Sequence, residues 1–179
     1  MKSFAAPLLL TSLFLQGCNA TQPATPPPAT PSPASIGSRV STAEPGTVAY
    51  DRDVFQTLLG NHELIRREFR EIRSGIESTT ESDNAEVAAL IQNHVAAMKV
   101  RVEHGRAIRM WDPMFREIFA NADKIRFEYE NTPKGVKVRE TSDDSYVVKL
   151  IQAHAKVVSG FVARGGAESQ LAHEPPARE

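Results

Sequence analysis

The sequence predicts an α+β fold: an internally duplicated helix-strand-strand-helix unit whose antiparallel sheet is covered by helices about a pseudo-twofold axis. Three observations carry this. Residues 82–98, SDNAEVAALIQNHVAAM, return as residues 142–158, SDDSYVVKLIQAHAKVV, at a fixed offset of 60 residues. Between Ser82 and His94, seven of thirteen positions are identical in the second copy, where roughly one is expected by chance. Upstream of each copy, two short alternating runs flank a glycine-containing turn, which reads as a hairpin. A lone hairpin is marginal in water, so the two join one sheet. Each half alone has too little core, and two like units pack about a twofold axis as homodimers do.

The elements follow in order. Residues 1–18, MKSFAAPLLLTSLFLQGC, place one lysine before an apolar run that ends at a small residue and the only cysteine, Cys18. About twelve apolar residues are too few to span a bilayer, which needs roughly 20; the pattern is an export signal. Its ending, Leu15-Gln16-Gly17-Cys18, resembles the lipobox of bacterial lipoproteins. That resemblance covers these 18 residues only. It implies a signal peptide over residues 1–17, lipidation of Cys18, and a membrane anchor through acyl chains. Asn19 stands where an aspartate would mark inner-membrane retention, which implies an outer-membrane lipoprotein facing the periplasm.

Residues 18–47 hold the anchor and a tether rich in Pro, Ala, Thr and Ser. Proline fixes φ and removes donors, so an extended segment is expected, about 25 residues at roughly 3.1 Å each. The duplicated domain spans residues 48–166, with copies at about 53–105 and 113–165. In the first copy, Asp51 or Asp53 caps a helix to Asn61, residues 64–72 and 76–80 form the hairpin, and the Asp83-to-Glu86 spacing of a capping box opens a helix to Val102. That helix carries the stripe Val87, Leu90, Ile91, Val95, Met98, Val102. In the second, Asp112-Pro113 starts a helix, residues 125–130 and 136–140 form the hairpin, and Asp143 or Ser142 caps a helix ending near Gly165-Gly166. Its stripe is Val147, Leu150, Ile151, Val157, Val158 and Phe161. Residues 167–179, polar with Pro175-Pro176, are expected to be a flexible tail.

Charged residues are 24%, hydrophobic residues 41%, and the formal net charge is -1. Nothing here offers the basic stripe that nucleic acid requires. No C-x-x-C-H, G-x-S-x-G, H-E-x-x-H or P-loop occurs, and no nucleophilic triad is assembled. An enzyme therefore has no supporting constellation.

Of five histidines, His104 and His173 fall at a helix end and in the tail, and are expected to be solvent-exposed. His94 and His154 occupy matched places, each on the apolar stripe of its helix. A buried imidazole is hydrogen-bonded or ligated, so they are either core histidines bonded to backbone or ligands. Met98 lies one turn beyond His94, and its thioether adds a preference for copper(I) or haem iron. His62 stands where the second copy has Ala122. Trp111, in the connector between copies, either plugs the seam or contacts a partner. Two readings follow: a lipid-anchored periplasmic binding module taking copper or haem through His94, His154, Met98 and His62, or a structural and interaction lipoprotein docking an envelope protein without metal.

Overall fold

The structure, a computed structural model, describes residues 41–178. The expected signal peptide, Cys18 and most of the tether fall outside the described residues. Five helices and four strands are present in the order α1 (Val48–Gly60), β1 (Arg66–Ile72), β2 (Gly75–Glu81), α2 (Ala85–Glu103), α3 (Pro113–Ala120), β3 (Arg126–Thr132), β4 (Gly135–Thr141), α4 (Ser145–Arg164) and α5 (Gly166–Ser169). Short 3-10 turns precede β1 and β3. Among the described residues no helix is long and apolar enough to cross a membrane.

The fold class is as the sequence predicts. One antiparallel sheet has the order β1-β2-β4-β3, so the two hairpins meet along β2 and β4. Their register is itself twofold: Gly75 pairs with Thr141 and Glu81 with Gly135, while Ser78 pairs with Val138, its own counterpart at the 60-residue offset. The pseudo-axis therefore passes between Ser78 and Val138.

The copies are interlocked. In the first core cluster, Val87 and Ile91 of α2 close on Val136 of the other copy's β4. In the mirrored cluster, Val147 and Ile151 of α4 close on Ile76 of β2. Burying such side chains fully is worth roughly 1.5–3 kcal/mol each, and every one of them does so against the opposite copy. Polar contacts repeat the exchange. Gln92 donates to the carbonyls of Thr132 and Gly135 in the second hairpin turn, and Gln152 donates to those of Ile72 and Gly75 in the first. Ser82 N–H meets Lys134 O, and Ser142 N–H meets Ser74 O. Ser82, Val87, Ile91 and Gln92, each identical in the second copy, are among the residues that reach across.

Several local expectations are corrected. Helix α1 is capped by Thr47, which accepts from Tyr50 N–H; Asp51 is instead buried against Arg101. The caps of α2 and α4 are Asn84 and Asp144, each accepting two backbone N–H groups, while Ser82 and Ser142 accept from the cap residues' own N–H groups. Asp83 and Asp143 are exposed and pair with Arg66 and Arg126. Asp112 caps α3 with proline behind it, as expected.

The described end of the chain is not a free tail. It returns over α3, where Met114 N–H donates to His173 O, and Arg178 pairs with Glu117. His173 is held by both ring nitrogens, Nδ1 to Asp112 at 2.8 Å and Nε2 to Glu168 at 3.2 Å, so it is not the exposed histidine the sequence implies. The imidazole lies against Phe161 and is mostly buried. His104 is exposed, as expected.

Candidate functional site: a cavity on the pseudo-axis

Helices α2 and α4 lie over opposite hairpins, and between them a cavity of about 510 Å³ opens above the middle of the sheet. Its walls hold both members of matched pairs: Phe55 and Phe115, His94 and His154, Met98 and Val158. Ser78 and Val138, the residues at the pseudo-axis, lie on its floor. The cavity is thus a product of duplication: each copy supplies one member of each of these pairs. Volumes of a few hundred Å³ with apolar lining and few polar groups are those of organic-ligand sites.

The two imidazoles enter it from matched positions, each against its own copy's phenylalanine. His94 stacks on Phe55 with centroids 5.5 Å apart, and His154 meets the edge of Phe115 at 5.2 Å. Both phenylalanines rest on Phe161. The expectation that these histidines share the stripe of their helices holds. His94 Nδ1, however, is buried without a hydrogen-bond partner, a costly state for a polar atom. Burial lowers the pKa of both rings to about 4, with Arg101 adding to the effect at His94 and Arg67 at His154. At neutral pH both are neutral imidazoles, the form that ligates metal.

Met98 and His62 also line the cavity. His62 already donates from Nδ1 to the carbonyl of Val162 at 2.9 Å, which ties it to α4 of the other copy. Trp111 lies at the cavity rim, 55% exposed, beside Met110 at 46%. It does not plug the seam. Arg109 stacks over Trp111, Phe115 and Phe161, at 4.3, 5.2 and 5.3 Å, and donates to the carbonyls of Ser169 and Leu171. The returning chain end therefore anchors the rim.

Two residues of this site do not figure in the sequence reading. Arg67 on β1 and Glu140 on β4 point from the sheet into the cavity. Arg67 donates from one terminal nitrogen to Ser78 and Thr80, at 3.3 and 2.8 Å, while its Nε is buried without a partner. Burial lowers its pKa against the pull of Glu140. Burial raises Glu140 to about 7, opposed by Arg67. The available signal is parity. Arg67 shares its strand face with Phe69, and Glu140 shares its face with Val136 and Val138, so each is a charge on an apolar row.

These groups set the pH dependence of stability. The unfolded chain protonates its histidines near pH 6.5, but the folded one holds His94 and His154 neutral to about 4. Over that window the unfolded state binds more protons, so stability falls as pH falls. Glu140 acts oppositely between 4.5 and about 7. Two histidines outweigh one glutamate, leaving a net loss of about 1 kcal/mol per unit from pH 6 to 5. Urea unfolding across pH should show this slope, and Glu140→Gln should steepen it while raising stability at pH 8 by about 1–3 kcal/mol. A flat profile from pH 6 to 5 would contradict the burial of both imidazoles.

Comparison with family models, curated proteins and solved structures finds no match. Among the described residues, no group of three or more His, Cys, Asp or Glu stands close enough to hold a metal ion.

Proposed function

We propose that this chain is a binding module for haem, seated in the cavity between α2 and α4 with His94 and His154 as axial ligands. The observation that carries the reading is a large apolar cavity entered by two matched, neutral imidazoles, one with an unpartnered nitrogen. A bare copper ion on His94, His154 and Met98 would leave most of the 510 Å³ unfilled. A haem would fill that space, and an imidazole is among the side chains that hold its iron. With both axial positions filled, the iron would be a carried or electron-transfer centre rather than one that turns over substrate.

The test is titration of the full chain with haemin, followed by absorbance. Saturation at one haem per chain with a low-spin spectrum is expected. His94→Ala and His154→Ala should each weaken binding by about tenfold or more. Absence of saturable uptake would remove the proposal. It would leave a second reading, a structural or interaction lipoprotein docking an envelope protein, which the exposed Trp111 and Met110 favour.

The same proposal puts the module at the outer membrane, facing the periplasm, on a lipid carried by Cys18. Its support is the lipobox-like ending of residues 15–18. Fatty-acid labelling in a bacterial host should be lost in Cys18→Ala; undiminished labelling would exclude the anchor.

A further inference from the structure

The cavity floor carries a charge arrangement that two axial ligands do not use. Arg67 turns one guanidinium nitrogen to Ser78 and Thr80 and leaves Nε without a partner. Glu140 lines the same cavity and is close enough to act on Arg67 electrostatically, yet the ion pairs of the described residues do not include the two together. Elsewhere on this sheet arginines do close on glutamates, as Arg70 and Arg139 both do on Glu77 of the outer face. A guanidinium facing an apolar cavity without a contacting anion is costly, and its fork matches a carboxylate.

We propose that the cavity's ligand carries a carboxylate, and that Arg67 binds it at the sheet floor, with Glu140 beside it. This rests on the haem reading, and it assigns one propionate of the haem to Arg67. Protonation of Glu140 is consistent with its burial, which raises it to about 7. With Glu140 neutral, Arg67 leaves the floor with one positive charge, which a single carboxylate balances. The duplication makes this a one-sided anchor. The positions matching Arg67 and Glu140 are Phe127 and Thr80, so the twofold is broken at the floor, where neither charge has a charged counterpart, and the ligand has one orientation.

The experiment compares haemin with its dimethyl ester on the native full chain. The ester keeps the ring and the iron and removes both carboxylates. Haemin should bind at least about tenfold more tightly, and Arg67→Met should erase the difference by weakening haemin alone. Arg67→Lys, which keeps the charge, should retain part of it. Equal binding of haemin and ester to the native chain would overturn this inference while leaving the haem reading intact. A preference that survives in Arg67→Met would also overturn it, by placing the carboxylate elsewhere. Failure of both to bind would overturn the haem reading, and this inference with it. Arg67→Lys, the milder change, carries the assignment to Arg67 if Arg67→Met does not fold: an undiminished preference in it would overturn the inference.

Discussion

Gly135→Ala is expected to cost about 3–5 kcal/mol and to disrupt the seam between the copies. The position lies where β4 begins, against the other copy's strand. A Cβ there would stand 2.1 Å from Thr80 O, and at Gly75 it would stand 1.9 Å from Glu140 O. Both obstacles are backbone, so neither can rotate away. Both glycines also have positive φ, 157° and 153°, which an L side chain rarely adopts. The clash falls on the β2–β4 pairing, which joins the hairpins. Gly60→Ala is the control: nothing lies within 4 Å of its added Cβ, and it should be neutral or slightly stabilising. Urea unfolding measures both. A loss below about 1 kcal/mol at Gly135 would mean that the strands do not approach as closely as described.

Asp51→Ala is expected to be of similar severity, at about 3–5 kcal/mol. Asp51 on α1 and Arg101 on α2 are 6% and 5% exposed, and Arg101 Nε donates to Asp51 Oδ2 at 2.8 Å. The terminal nitrogen of Arg101 contacts the same oxygen. Removing the carboxylate strands a guanidinium out of water, and that, more than the lost attraction, sets the cost. The pair also fixes α1 against α2, and α1 carries Phe55, on which His94 stacks. The double variant Asp51→Leu/Arg101→Met should therefore recover most of the stability, since an apolar pair of similar volume avoids the desolvation. A double-mutant cycle by thermal unfolding gives the answer. A single variant as stable as the native chain would show that the guanidinium finds water or another acceptor.

The duplication was legible because its marks are identities: Gln92 and Gln152, Ser82 and Ser142, His94 and His154 recur at one offset. What those identities do was not legible. A glutamine one turn before a hairpin's level could close its own turn or its twin's, and both give the same sequence. Only the order β1-β2-β4-β3 decides, by laying each long helix over the opposite hairpin. The cap assignments of α2 and α4 slipped by one or two residues for a related reason. In Ser-Asp-Asn and Ser-Asp-Asp every side chain is a competent cap, and the choice falls to the one whose φ and ψ precede the helix.

The site was half legible. Matched histidines on apolar stripes are visible as a spacing. Arg67 and Glu140 resemble ordinary strand charges until the parity of each strand is fixed against the core, which turns them toward the cavity. The chain end misled by composition. His173 lies among polar residues and prolines, but Asp112 and Glu168 lie more than 60 and only five residues away in sequence. The first contact leaves no local signature.

The claim on which the account depends is that one ligand lies on the pseudo-axis, held by an imidazole from each copy. Electron paramagnetic resonance of the ferric, haem-loaded full chain tests it most directly. The native chain should give the low-spin signal of two imidazole ligands, and His94→Ala and His154→Ala should each convert it to high spin. A low-spin signal that persists in both variants would contradict the account, because the iron would then take its ligands elsewhere.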